Sequence, residues 1–543
     1  MTRVARRWST PLLLLLAGAT LVAGCASPPD PPADRSNVVG LDSGAVRGRV
    51  DPAGYREFAG IPYAAAPTGA LRWHAPTAPA SWGGVREATT PGAMCPQAAG
   101  PGTPGSMTED CLNLNVWTPA GSHTDLPVLV WIHGGSLISG AGSDYGPQKF
   151  LTGTEGPMIV VTINYRLGTL GFLADKSLKD TNGDVGNYGF QDQQFALKWV
   201  QRNITAFGGD PAKVTIAGES SGSNSVCTHL AAPGSAGLFR AAIMQSGACV
   251  PWQSERDAET AATTTATGLG CPDPATTATC LRELPVSAIL TAQAQQTNGL
   301  TGIPFLGTVG TPFLPRSPEQ GLKDGALAHV PVITGANHDE SALFAWLIYG
   351  MPGTPTLTAD RYPQALTEIS QASDFPLRED QTAAITAEYP LDRYPQPVIA
   401  ATRALSDQAT CAIGDQAAQL AAHAPTYSYE FADPTPPAPP STFPLGAYHA
   451  SELPYLWQMS APFGDPAMMT AAQHSLTDQL VRYWTRFVLT GTPDPSGLPA
   501  MPAYTSTNPH LMSFKPDATG PVSATAFDTD HHCGFWKTLT AQP

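Results

Sequence analysis

The sequence predicts an α/β protein with a mostly parallel central sheet covered by helices on both faces. Three observations carry this. Short apolar runs rich in β-branched residues recur along the chain, an amphipathic helical pattern lies between two of them, and glycine-rich turns follow two of the runs. In chain order, "VLVWI" (128–132) and "IVVTI" (159–163) read as buried strands. "FQDQQFALKWVQRNITAF" (190–207) sets Phe190, Leu197, Val200, Ile204 and Phe207 at spacings of 3, 4 and 7, one face of a helix. "VTIAG" (214–218) and "PVIT" (331–334) are further strands. Strands alternating with helices give a parallel sheet, whose active groups gather on loops beyond the carboxyl ends of the strands. Residues 431–444, "FADPTPPAPPSTFP", read as a Pro-rich surface loop, and the sequon at Asn203 reads as a chance match.

The chain has 543 residues, 42% hydrophobic and 13% charged, which is enough for a large core. Length alone suggests about 3–4 average domains, although elaborated α/β folds run longer. From residue 39 onward no break in composition and no internal repeat marks a second domain. The formal charge of -15 repels nucleic acid and anionic headgroups, and no Lys/Arg patch opposes it.

The first 24 residues read as a targeting segment. Arg3, Arg6 and Arg7 precede the apolar run "PLLLLLAGATLVAG", too short for a comfortable membrane span, and small residues lead to Cys25. The pattern resembles a bacterial lipoprotein signal, cut before Cys25 with lipid on its sulfur; an ordinary secretory signal cut nearby is the alternative. Without its three arginines the chain keeps 26 of 29 basic residues against 44 acidic ones. Residues 25–38 form a Pro-rich tether, leaving 39–543 as the folded domain. In an exported protein the other eight cysteines are expected to form four disulfides, with no free thiol and no zinc-type Cys/His spacing.

Gly218-Glu219-Ser220-Ser221-Gly222 fits G-x-S-x-G. The bare pattern is weak, but a strand precedes it and small residues follow, as a nucleophile held on a strand-to-helix corner requires. Ser220 is then the nucleophile, its neighbours two residues away must lack bulk, and the backbone N–H of Ser221 faces a developing oxyanion. "VLVWIHGGSL" offers further donors, a strand followed by His133-Gly134-Gly135-Ser136; a plain glycine turn is the other reading.

With these motifs the chain resembles a type B carboxylesterase, the cholinesterase-like branch of the α/β-hydrolases. The resemblance covers nearly all of the mature chain through "FAGIPYAAAPTGALRW" (58–73), "EDCLNLNVWTP" (109–119), "INYRLGTLGFL" (163–173), "GNYGFQDQQFALKWVQRNITAFGGDP" (186–211), "AGESSG" (217–222) and "CGFW" (533–536). It implies an α/β-hydrolase fold with large insertions. It places the acid at Glu340 of "GANHDES", with Asp339 as the fallback, and the base at His449 of "GAYHASEL". His423, His474, His531 and His532 also follow Glu340; the last two read as structural or exposed. Glu219 and Glu452 are implied supporting residues. The oxyanion donors are the N–H groups of Gly135, Ser136 and Ser221. The pairs Cys95–Cys111, Cys271–Cys280 and Cys411–Cys533 are implied too, which leaves Cys227 and Cys249 for each other.

The resemblance also implies hydrolysis of a small-molecule carboxylic ester through an acyl-enzyme, with no metal or organic cofactor. Membrane contact is expected only through Cys25. Three departures stand out. The oxyanion turn often reads H-G-G-G-F and here reads H-G-G-S-L, Ser221 stands where alanine is usual, and Ser341 follows the acid where glycine is usual. The loop between Cys95 and Cys111 has no aromatic residue to stack on a quaternary ammonium, so choline esters are not expected. A non-catalytic binding protein on the same fold would have lost one of Ser220, Glu340 and His449, and all three are present. An amidase, lactonase or carbamate hydrolase would keep all three.

Overall fold

The computed structural model describes residues 37–541, apart from 101–103, 154, 251, 297–305, 374 and 460–465. The expected signal segment, Cys25 and all but the last two residues of the tether lie outside the described residues; Val38 already opens a strand.

An eleven-stranded sheet forms the centre. Its strands are β1 (Arg49–Val50), β2 (Tyr55–Pro62), β3 (Asn113–Pro119), β4 (Leu126–Ile132), β5 (Ile159–Ile163), β6 (Gly209–Glu219), β7 (Ala241–Gln245), β8 (Val332–Asn337), β9 (Thr426–Phe431), β10 (His510–Phe514) and β11 (Gly520–Ser523). Across the sheet they run β11-β10-β9-β8-β7-β6-β4-β5-β3-β2-β1. The run from β10 to β5 is parallel throughout. Both margins are antiparallel. Each margin ends in a short strand, with Arg49 on one and Pro521 on the other.

Burial on both faces explains the unbroken apolar runs. Val128, Val130 and Ile132 of β4 pack into one core, and Leu129 and Trp131 pack into the opposite one. Successive side chains of a strand point to opposite faces, so both must be apolar when helices cover both. On the first face lies α1 (Tyr188–Asn203), through Phe190, Leu197, Trp199 and Val200. The helical face read from the sequence is the buried one. The helix starts two residues earlier than expected, and its last turn tightens to 3₁₀ over Ile204–Phe207 before left-handed Gly208 ends it. Beside it is α2 (Ser221–Ala231), and between β8 and β9 runs α3 (Pro397–Ala421). The second face is covered by α4 (Ala471–Thr490), through Leu476, Leu480, Trp484 and Phe487. Thr470 and Gln473 form its capping box, which satisfies two otherwise free donors. Helices of the segment between β8 and β9 gather into a third core around Tyr362, Leu366 and Tyr389.

All four disulfides form in the expected pairs: Cys95–Cys111, Cys227–Cys249, Cys271–Cys280 and Cys411–Cys533. Such a set belongs to a protein that folds in an oxidising compartment. No helix among the described residues is long and apolar enough to cross a membrane. Asn203 is buried, accepting from the Asp42 N–H and donating to the Trp199 carbonyl, so the sequon is closed to a glycan. The 431–444 stretch is irregular beyond Phe431 and mixes exposed prolines with buried Asp433, Pro436 and Pro437.

One buried ion pair fixes the frame beside the site. Arg166, after β5, grips Asp192 of α1 through two bonds of 2.7 Å, and the Arg166 backbone N–H adds a third at 3.0 Å. Both side chains are almost fully buried. The D192A variant strands the guanidinium without its partner, at an expected cost of about 3–5 kcal/mol. Denaturant unfolding with the disulfides intact should show a lower midpoint at unchanged slope.

Candidate active site

The register of β4 against β6 pairs Ile132 with Gly218. The turns that follow these strands therefore emerge side by side at the carboxyl end of the sheet. Ser220 sits between β6 and α2 at φ 57° and ψ −128°, a strained corner for any residue with a Cβ. The tight turn demands glycine two residues away on either side. A Cβ on Gly222 would lie 2.1 Å from the Ile132 carbonyl oxygen, and one on Gly218 would lie 2.5 Å from the Gly222 backbone. The Ser220 N–H donates to the Gln245 carbonyl at the end of β7, at 2.9 Å, which anchors the corner to the neighbouring strand.

The other turn runs through Gly135 (φ 107°), Ser136 (φ 55°) and Leu137 (φ 59°). The N–H groups of Ile138 and Ser139 both close back on the Gly135 carbonyl at 3.0 Å. Gln97, inside the Cys95–Cys111 loop, brackets Gly140 by accepting from its N–H and donating to its carbonyl.

Glu340 lies just past β8. One of its carboxylate oxygens accepts from the Asn337 N–H at 2.7 Å, and the other is 2.5 Å from His449 Nδ1. That fixes the imidazole with Nε2 turned away from Glu340. Asp339 faces elsewhere, accepting from the Ala447 N–H and pairing with His338. Glu452 is fully buried and accepts from Gln245 and Asn337, so it ties β7 to β8 beneath the site.

Glu219 Oε1 lies 3.2 Å from His449 Nε2. The two atoms are out of line, and neither has a hydrogen-bond partner among the described residues. Burial, opposed by His449 and joined by Glu452 and Glu340, raises the Glu219 carboxyl to about 8. Burial alone would disfavour a charged His449, but the Glu219 and Glu340 carboxylates and the Glu340 hydrogen bond outweigh it. The imidazole pKa is therefore raised above its ordinary 6.5.

A cavity of about 630 Å³ opens over these groups and is lined by Ser136, Ser220, Ser221, Glu340 and His449 together. Its remaining wall is largely apolar, with Leu137, Val250, Trp252, Leu306, Phe344 and Phe375. Phe344 lies against the His449 ring, centroids 5.1 Å apart. Among the described lining residues, Glu340 and His449 are the charged ones. Ser246 was not anticipated from the sequence. It directly follows β7 at φ 51°, with its hydroxyl buried and unpartnered among the described residues. Its place at the carboxyl end of a central strand was the available signal.

The other histidines stand apart from this cavity. His531 is fully buried between Asp407 and Glu430, and half-exposed His532 pairs with Glu388. His338, Glu430 and His531 bring three possible metal-ligand atoms within 4.8 Å of one another. Both His531 nitrogens already meet carboxylates there, and the Arg403 guanidinium lies 3.2 Å from His338 Nε2, so the group is a buried ion-pair network.

The carboxylesterase family signature matches residues 35–536. The chain belongs to the carboxylesterase family. It is of type B, with the α/β-hydrolase fold, and is a serine hydrolase of carboxylic esters. An acylcarnitine hydrolase of Mus musculus is 35% identical over 533 residues, covering 90% of this chain and 88% of the relative. A cocaine esterase of Homo sapiens is 34% identical over 530 residues, with the same coverage of 90% and 88%. Among solved structures, a PNB esterase superposes with a TM-score of 0.73 at 30% identity, over 91% of this chain and 100% of its own. A thermophilic PNB esterase gives 0.75 at 28% identity, over 92% and 100%.

His449 becomes neutral only as pH rises through its raised pKa, so an acidic limb of kcat/KM set by this imidazole should lie above the ordinary histidine range. The E219Q variant removes one carboxylate that raises His449 and should move that limb to lower pH. A profile measured from about pH 5 to pH 10 on both proteins checks the direction.

Proposed function

We propose that Ser220 is the nucleophile, His449 the general base and Glu340 the acid that orients it. The observation that carries this reading is the 2.5 Å bond between Glu340 and His449 Nδ1, in a cavity shared with a serine on a strained strand-to-helix corner. His449 Nε2 takes the Ser220 proton as Oγ bonds to the ester carbonyl carbon, and the carbonyl π electrons move to oxygen. The N–H groups of Gly135, Ser136 and Ser221 hold that oxyanion, each donor being worth about 2.7–4 kcal/mol of barrier. The tetrahedral adduct collapses, and His449 returns the proton to the departing alkoxide. Water then attacks the acyl-enzyme by the same route and frees Ser220. Glu340 keeps the imidazole in one tautomer and stabilises the imidazolium. Glu452 holds the strand ends that carry the acid, and Glu219 tunes the imidazole.

The neutral, largely apolar wall supports a neutral ester with a bulky apolar group, not a cationic one. p-Nitrophenyl butyrate should be turned over, with butyrylcholine at least about tenfold poorer in kcat/KM, the price of burying an unpaired ammonium. S220A should abolish both turnover and labelling by an organophosphorus fluoride. Labelling that persists in S220A, or a wild-type protein inert toward butyrate esters, would refute the assignment.

We further propose that residues 1–24 are a cleaved leader, that Cys25 carries lipid, and that 25–38 tether the hydrolase domain of 39–543 outside the cytoplasm. The sequence up to "LVAGC" and the four disulfides support this. Metabolic labelling with an alkyne fatty acid should mark the wild type and not C25S; an unmarked wild type would leave an ordinary secretory leader instead.

A further inference from the structure

The oxyanion turn holds two consecutive non-glycine residues, Ser136 and Leu137, in the left-handed region. Residues with a Cβ resist that conformation, so something must hold the turn in it. The described contacts identify the holder. The Leu137 N–H donates to Ser221 Oγ at 3.1 Å, in a spot where Leu137 is buried. At the other end of the turn the Tyr165 phenol donates to the His133 carbonyl at 2.8 Å, with its ring stacked on the His133 imidazole at 4.4 Å. The Ser221 hydroxyl thus connects the far end of the turn, at Leu137, to the residue that follows the nucleophile.

We propose that the Ser221 side chain is a positioning residue that keeps the Gly135 and Ser136 N–H groups aimed into the cavity, and that it compensates for the serine at 136. An alanine at 221 would supply the same backbone N–H but would leave the Leu137 N–H buried without an acceptor. A glycine at 136 relaxes the turn, because glycine enters the left-handed region without a steric penalty. These two departures from the family pattern then form a single device. The proposal rests on the oxyanion assignment above and deepens it.

The test is a double-mutant cycle on the full chain: S221A, S136G and S136G/S221A, with active sites counted by organophosphorus labelling so that misfolded protein is excluded. Turnover of p-nitrophenyl butyrate is measured beside inhibition by a trifluoromethyl ketone. That probe accepts Ser220 Oγ at its carbonyl carbon, passes the serine proton to His449 and places a true oxyanion in the hole. S221A should lose about tenfold in kcat with little change in KM, the scale of one hydrogen bond. The ketone should weaken in parallel. In the S136G background the same replacement should cost less than about twofold, as expected of coupled neighbours. A kcat for S221A within twofold of the wild type, or an equal loss in both backgrounds, would overturn the proposal. A wild-type protein without esterase activity would refute the underlying site assignment instead.

Discussion

The site depends on one close approach, the packing of the corner after β6 against the end of β4. Ile132 and Gly218 are register partners, and the Ile132 carbonyl lies so near Gly222 that no side chain fits between them. Because the strands are parallel neighbours, the turn after one and the corner after the other leave the sheet at the same level. The Gly135–Leu137 turn and Ser220 are thereby brought together by backbone geometry. The parallel strands β7 and β8 extend the same edge, and they deliver Ser246 and Glu340 to it. The helical segment between β8 and β9 roofs the cavity with Phe344, Phe375 and Ile413.

How much of this was legible in the sequence differs by element. The four strands read from apolar runs all exist, because a strand buried on both faces is predominantly apolar. β9, "TYSYEF", was not read as a strand; its serine and tyrosines blur the apolar signal although every residue is buried. The amphipathic face of α1 is visible in the sequence; Tyr362, Ala365, Leu366 and Ile369 make a comparable stripe in the third core, which packs on other helices. The corner at Ser220 and the turn at Gly135 carry local signatures. His449 does not: it lies 109 residues beyond Glu340, and only the family resemblance singled it out among later histidines. The hydroxyl of Ser221 was passed over because its role depends on what faces it across the fold.

The electrostatics of the centre are those of an imidazole among three buried acids, Glu219, Glu340 and Glu452. Each is handled differently. Glu340 is hydrogen-bonded to the ring, Glu452 is occupied by two amides, and Glu219 stands close but out of line. A charged imidazole here faces Glu340 across a hydrogen bond, in a medium where burial would otherwise penalise the charge.

The margins of the central sheet have a consequence for how molecules coexist. β1 is two residues long, and β11 carries a proline that offers no N–H to a passing strand. Neither rim of the central sheet is therefore an inviting template for a strand from a neighbouring molecule.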